Sequence, residues 1–407
     1  MKSRDLNSFF SPKSIAVIGA SPTPGKVGHT LMNKLKNFKG KIIPINPNHQ
    51  EILGIKTYKS ISAYKQKIDL TLIAIPSKFV KKSLLECAKQ KITNIIIISA
   101  GFSETGNKKE EEELIQIAKK HNLNILGPNC FGIVNTALNI DCTFANSTPK
   151  KGSIAFISQS GALWSYISDM NPKEGFSGMV SLGNMSDLNF SDWIEYFNKH
   201  KQTKKIILYL EALDPKSGKE FIEICKRSKK PIIAIKSGKT EVGREATISH
   251  TASLATDHEI YKGAFKQAGI KQVMSVAEAF GIQQDKIKNP KPTKTFIVTN
   301  AGGVGALIAD KYSKQEFNVS PPLDLIGTAL AKDYQKALNT KTKSSELIIT
   351  ILTPQTMSQP VETAKVISEF KKQNPKKKII AYFLGNKSIK EAKQILLKNK
   401  IETITKI

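Results

Sequence analysis

With 407 residues the chain exceeds one ordinary hydrophobic core, and at roughly 100 to 200 residues per domain it is expected to fold as several. Its hydrophobic fraction of 40% is broken throughout by Lys and Glu, so it contains no apolar run of the ~18 residues that a membrane span needs, and Met1–Ala20 lacks the apolar stretch and small-residue cleavage site of a secretory signal; a cytoplasmic protein without a membrane partner is expected. The formal charge of +28 would suit nucleic acid, but Arg4, Arg227 and Arg244 are the sole arginines, and lysines spread over every predicted helix predict a solvated basic surface that attracts small polyanions, with nucleic acid disfavoured.

In chain order, the segments SIAVIGA, KIIPINP, LTLIAIP and NIIIISAG read as strands, separated by amphipathic helices such as VGHTLMNKLKNF and FVKKSLLECAKQ. Strands alternating with helices predict a parallel sheet covered on both faces, so residues 1–150 are expected to form one doubly wound α/β domain. A second series, SIAFISQ, GMVSLG, KIILYLE and PIIAIKSG, predicts a further domain over 151–284. The polar, Lys- and Pro-rich stretch 285–294 reads as a linker, and TFIVTNAG, ELIITILTP and KIIAYFLG predict a shorter α/β unit over 295–407. Cys87, Cys130, Cys142 and Cys225 form no CxxC pair and have no His at zinc spacing, which predicts reduced, buried thiols and no structural metal.

A weak internal repeat links SIAVIGASPTPGKVG, SIAFISQSGAL and TFIVTNAGGVGAL, each running from a buried strand through small residues into a helix. Such turns place a helix N-terminus at the carboxyl end of a strand, where free N–H groups and the helix dipole favour anions. The first turn is not a dinucleotide fingerprint, because Gly19, Gly25 and Gly28 miss the GxGxxG spacing and KIIPINP ends in Asn46 and Pro47 rather than an acid. Nor is it a P-loop, since five residues separate Gly19 from Gly25 and Val27 follows Lys26; at Gly238-Lys239-Thr240 the first P-loop glycine would be Ile233. Spacing leaves open a loop holding pyrophosphate through backbone N–H groups beside Lys26, or a purely structural strand-to-helix turn.

Taken together, PKSIAVIGAS with PGKVG, INPN, LIAIPSKFV, IIIISAGFSETG, LGPNCFGIVN, GSIAFISQSGAL, SLGN, ISHTASLA, AFKQAGI, TNAGGVGAL and ILTPQTM resemble the NDP-forming acyl-CoA synthetases, relatives of succinyl-CoA synthetase, in the family's order across nearly the whole chain. The resemblance is strongest to the α subunits of ADP-forming acetate–CoA ligases. It implies a Rossmann-like CoA-binding domain followed by two flavodoxin-like ligase domains, the third resembling the C-terminal part of the synthetase β subunit. It also implies a partner, because no segment resembles an ATP-grasp domain: ADP or ATP with Mg2+ would bind a separate β subunit, in an α2β2 assembly.

By the same resemblance His250, expected in a polar loop over GREATISHTASLATD, would carry the phosphate, and Glu211 at the end of KIILYLE would hold its other ring nitrogen. A neutral imidazole is a competent phosphoryl acceptor near neutral pH. Residues Ser158, Gln159, Ser160, Gly161 and Ala162, and Gly302, Gly303, Val304 and Gly305, would hold phosphate at two helix N-termini. For CoA the resemblance points to Gly19, Ala20, Ser21, Gly25, Lys26, Val27, Asn46, Pro47, Ile75, Pro76, Ser99, Ala100, Gly101 and Asn129, with Lys26 meeting phosphate. The implied substrates are a small carboxylic acid or acyl-CoA and inorganic phosphate. Departures from the family pattern are Ala252 and Thr256, where the family has glycines, and Pro321 in place of Asn. The competing reading is a CoA-binding regulatory or protein-acyltransferase-associated chain that keeps the fold without turnover, against which His250 and Glu211 both stand.

Overall fold

The computed structural model describes residues 4–251, 257–287 and 291–407, with the backbone alone described at 215 and 248–251. Three sheets follow one another along the chain, and their central strands are runs of Ile, Val and Leu buried on both faces, the composition a parallel strand needs when helices cover its two sides.

The first sheet comprises β1 (Ser14–Ile18), β2 (Lys41–Ile45), a separate hairpin of β3 (Glu51–Ile52) with β4 (Ile55–Lys56), and then β5 (Leu70–Ile73), β6 (Asn94–Ile97) and β7 (Asn124–Leu126), in the order β2-β1-β5-β6-β7. Its helices are α1 (Asn7–Phe10), α2 (Val27–Lys34), α3 (Val80–Lys89) and α4 (Lys108–His121). The second holds β8 (Ile133–Asn135), β9 (Ile140–Asp141), β10 (Lys151–Ser158), β11 (Phe176–Ser181), β12 (Lys205–Leu210), β13 (Ile232–Lys236) and β14 (Lys271–Val273), in the order β14-β13-β12-β10-β11-β8-β9. Helices α5 (Gly161–Met170), α6 (Phe190–Lys199), α7 (Gly218–Lys226), α8 (Glu241–Thr251), α9 (His258–Gln267) and α10 (Val276–Phe280) cover it. The third contains β15 (Lys294–Thr299), β16 (Asn318–Val319), β17 (Leu323–Asp324), β18 (Leu347–Leu352), β19 (Lys378–Phe383) and β20 (Glu402–Ile404), in the order β16-β15-β18-β19-β20 with β17 also on β15. Its helices are α11 (Gly302–Ser313), α12 (Ala331–Lys341), α13 (Pro360–Gln373) and α14 (Lys390–Lys398).

Setting aside the hairpin and the antiparallel edge strands β8 and β9, each sheet has the flavodoxin order, in which the chain reverses direction beside its first strand. The reversal points fall between β1 and β5, β10 and β12, and β15 and β18. Two shared cores join the units. Phe9 and Phe10 of α1 pack edge-on against Trp193 and Phe197 of the second unit, with ring centroids 5.5 and 5.1 Å apart. Trp164, Tyr166 and Phe280 pack in one cluster with Tyr312, Ile297 and Tyr382 of the third. Each such side chain contributes about 1.5–3 kcal/mol by leaving water, so the units are docked by core rather than by rim contacts. Among the described residues no helix is long and apolar enough to cross a membrane.

The structure adds two features that the sequence did not show and corrects one expectation. The boundary at residue 150 does not coincide with a sheet boundary: β8 leaves the first unit to pair with β11 of the second, β9 pairs on β8 as the outer edge, and the Lys34–Asp141 ion pair (3.1 Å) ties α2 to that edge. Short strands β7, β14, β16, β17 and β20 were not expected, because runs of two or three residues carry no periodicity to read. Finally, the backbone at His250 is helical, in the last turn of α8, rather than in a loop. Ala246 and Thr247 are buried on that helix, and its small residues conceal the apolar face that packs on α11. Ala252 and Thr256 lie outside the described residues, as do residues 288–290 of the expected linker.

Candidate active site

The turns after β1, β5, β10, β15 and β18 line one cavity of about 650 Å³, within the range of small-molecule sites. All three reversal points therefore open on the same space, which is where doubly wound sheets bind ligands.

The first unit supplies one wall through Gly19, Lys26, Val27, Ala74, Ile75, Pro76, Ser99 and Ala100. Gly19 has φ +93°, and Gly28 of α2 sits against its carbonyl so closely that a Cβ on Gly28 would overlap it; both glycines let α2 start directly over β1. Several polar groups expected to meet CoA are engaged with this wall's own backbone. Asn46 Nδ2 donates to Ala20 O at 2.8 Å, Ser21 Oγ accepts from Thr23 N at 3.1 Å, and Ser99 Oγ donates to Ile75 O at 2.5 Å while accepting from Ile75 N at 3.1 Å. These side chains hold the turns in place, and the cavity meets the turns' backbone and Lys26. Ala20, Ser21, Gly25, Asn46, Pro47 and Gly101 do not line it, whereas Asn129, beyond β7, does. Glu104 fixes the turn after β6 by accepting from Gly101 N at 2.5 Å and from Asn184 Nδ2 at 2.7 Å, bridging to the second unit.

The second and third units meet the cavity through a shared local design. Ser158, the last residue of β10, accepts from Ser160 N (3.1 Å) and donates to Ser160 O (2.8 Å); Thr299, the last residue of β15, accepts from Ala301 N (2.9 Å) and donates to Ala301 O (3.1 Å). The next residue in each is an amide that clamps the neighbouring strand end. Gln159 Oε1 accepts from Glu211 N (2.7 Å) and Ala212 N (3.2 Å), and Asn300 Oδ1 accepts from Thr353 N (2.9 Å). Helices α5 and α11 then begin at Gly161 and Gly302, and both first residues line the cavity. Their free N–H groups and positive dipole ends, contributed by two units, are of the chemistry that favours an anion. Gln159, Ser160 and Ala162 line the cavity as well, while Ser158, Gly303, Val304 and Gly305 lie behind it.

Glu211 comes directly after β12, is 2% exposed, and sits where a Cβ on Gly303 would overlap its Oε1 and the Tyr209 hydroxyl. The carboxylate of the second unit is thus pressed against the start of α11 from the third. Tyr209 OH donates to Gly303 O at 2.9 Å, and burial, then the neighbouring Glu211 charge, pushes its phenol well above the usual range. Lys236, at the end of β13, was not anticipated. Its buried ammonium donates to Glu211 O at 2.8 Å and to Ser237 O, and stands 4.5 Å from the ring centroid of Tyr261. Burial lowers its pKa to about 8. The His250 side chain lies outside the described residues, and its backbone closes α8.

Phe131 and Phe144, 3.8 Å apart by centroid, together with Gln355 and Met357, complete the cavity and were also missed as site residues, because they lie in irregular segments, the first two between β7 and β10 and the last two between β18 and α13. Among the described residues no three His, Cys, Asp or Glu side chains gather as a metal site.

Residues 13–136 match a CoA binding domain and residues 151–284 a succinyl-CoA ligase-like flavodoxin domain. Over 98% of its length the chain is 40% identical to the acetate–CoA ligase [ADP-forming] II subunit alpha of Pyrococcus furiosus, covering 94% of that relative. The chain belongs to the NDP-forming acyl-CoA synthetase family. It is also 43% identical over 98% of its length to the acetate–CoA ligase [ADP-forming] of Methanocaldococcus jannaschii, of which it spans 60%. A solved structure, the dinucleotide-forming acetyl-coenzyme A synthetase 1 of Ca. Korarchaeum cryptofilum in complex with phosphate and ADP, aligns with a TM-score of 0.65 at 33% identity, covering 98% of this chain and 93% of that one.

Proposed function

We propose that this chain is the α subunit of an ADP-forming acyl-CoA synthetase that interconverts acyl-CoA, ADP and phosphate with the free acid, CoA and ATP. The observation that carries this reading is the convergence of the α5 and α11 N-termini on the cavity that the CoA-binding unit also lines, with Glu211 beside them.

In the first step an oxygen of inorganic phosphate attacks the thioester carbonyl, the carbon–sulfur bond breaks, and acyl phosphate and CoA result. In the second, a ring nitrogen of His250 attacks phosphorus and the carboxylate leaves. The N–H groups at the starts of α5 and α11 stabilise the phosphoryl charge in both steps, and Lys26 with the Gly19 turn holds the CoA phosphates. Glu211 accepts from the far ring nitrogen of His250 and stabilises the imidazolium that forms on phosphorylation. The phosphoryl group then passes to ADP on a separate ATP-grasp subunit, which also holds Mg2+, in an α2β2 assembly. The four free, buried cysteines suit a reducing, cytoplasmic setting.

The test is to purify the chain with that partner subunit, supply labelled ATP and Mg2+, and measure acid-labile phosphate on the chain. Label on the wild type that disappears in His250→Ala is expected. An unlabelled wild type, or equal label in the variant, would refute the reading.

A further inference from the structure

The two helices that start at the cavity each carry a carboxylate farther along. Asp169 lies eight residues beyond Gly161 on α5, and Asp310 eight residues beyond Gly302 on α11. Both are buried, at 6% and 4% exposure, and both reach out of their own unit. Asp310 accepts from Lys239 N (2.8 and 3.0 Å), from Thr240 N (2.7 Å) and from Thr240 Oγ1 (2.9 Å), in the turn after β13. Asp169 accepts from Asn386 N (2.6 Å), Ser388 N (3.3 Å) and Ser388 Oγ (2.9 Å), in the turn after β19. The second and third units therefore hold each other by a reciprocal pair of carboxylates. A glycine closes each contact: a Cβ on Gly243 would overlap Asp310, and one on Gly385 would crowd Asp169.

The two turns lead into different helices. The Asp169 turn runs into α14, whereas the Asp310 turn runs into α8, which ends on the residue pair His250-Thr251. Thr240 caps α8 by accepting from Gly243 N at 3.2 Å while its single hydroxyl proton goes to Asp310. With that proton fixed, the hydroxyl's lone pair is fixed as well, so Asp310 sets both the position of the α8 start and the direction of its cap. Both Thr240 contacts fall on one carboxylate oxygen and the other oxygen meets, among the described residues, Lys239 N alone, so an amide in place of Asp310 would turn its NH2 against the Lys239 N–H and hold the Thr240 proton with an uncharged, weaker acceptor.

We propose that Asp310 is a positioning residue for phosphoryl transfer: from the third unit it caps and orients α8 so that His250 takes up phosphate, while its counterpart Asp169 only docks the units. This rests on His250 being the phosphoryl acceptor.

The test uses the chain with its partner subunit, labelled inorganic phosphate and acetyl-CoA without ADP, and tracks the rate of acid-labile labelling against phosphate concentration. Asp310→Asn is expected to lower the saturating rate about tenfold or more, the size of effect of a lost cap, with half-saturating phosphate little changed. Asp169→Asn is expected to label at the wild-type rate although both variants lower the thermal midpoint comparably. Thr240→Val should reproduce part of the loss and Thr240→Ser restore it, which keeps the test decisive if Asp310→Asn does not fold. Equal losses in Asp310→Asn and Asp169→Asn, or wild-type labelling in Asp310→Asn or Thr240→Val, would overturn the inference. A wild type that takes no label, or a His250→Ala that labels equally, instead refutes the underlying reading and removes the inference with it.

Discussion

The second and third units are built on one plan, with the same strand order, the same hydroxyl-anchored turn at Ser158 and Thr299, and the same amide clamp at Gln159 and Asn300. They part at the residue the clamp holds. It is Glu211 after β12 and Thr353 after β18, and the turn after β13 leads to a helix carrying His250 while the turn after β19 leads to α14, Lys390–Lys398, which has no histidine. A repeated frame thus brings two helix starts to one cavity, and only one copy of it carries Glu211 and leads to His250, the groups to which the proposed mechanism gives proton handling and phosphoryl transfer. The two jobs separate because binding an anion needs only backbone N–H groups, whereas accepting a phosphoryl group needs a particular side chain.

The largest effect should come from breaking that asymmetry. Glu211→Gln keeps the volume and removes the charge, and is expected to slow phosphorylation of His250 by about 10²-fold or more, whereas Thr353→Val at the matching position leaves the rate near wild type; stopped-flow quench labelling of both variants distinguishes them. If the Glu211→Gln rate is unchanged, Glu211 has no part in the mechanism.

Lys236 gives a second contrast, a buried cation on the catalytic side. Its folded pKa, about 8, lies below the ordinary 10.5, so between those values the unfolded chain binds more protons and this group's contribution to stability rises with pH. Urea midpoints measured from pH 7.5 to 10.5 should show the wild type gaining on Lys236→Met by about 3 kcal/mol across that window; parallel curves would mean that burial does not tax this ammonium.

Packing at the helix starts offers a third, since Ala162 occupies in α5 the place of Gly303 in α11. Gly303→Ala would force a methyl into Glu211 and Tyr209, and should cost about 1–3 kcal/mol by thermal denaturation. Ala162→Gly should cost about 1 kcal/mol at most, the helix-propensity difference. The smallest effects concern the two anchored turns: Ser158→Ala and Thr299→Val each remove a hydroxyl with two backbone bonds, and each should cost about 1 kcal/mol. A much larger loss at one of them alone would show that the two turns are not equivalent in energy.

Much of this was legible in order along the chain. Ile-rich runs such as 94–97 and 347–352 announced buried parallel strands, and the repeated strand–small residue–helix turns marked helix starts that line the cavity, because a glycine at a helix start leaves a local trace. Asp310 was hidden but had a signal: with Asp169 it occupies the same offset from the two helix starts, a coincidence readable once the repeats are aligned. Other features leave no local trace. Strands β8 and β9 cross to the second sheet because an open edge was there to pair with, the helix through His250 packs on α11 with its start held by Asp310, and while Ser21 bonds its own turn, Asn46 and Ser99 bond the neighbouring turns at Ala20 and Ile75 because the fold brings those backbone partners beside them. Periodicity and residue type alone determined which segments are strands, which turns suit anions and which side chains have the right chemistry. Tertiary structure decided which of those side chains face the cavity and which secure its walls, since a hydroxyl or amide bonds whatever the fold brings within about 3 Å.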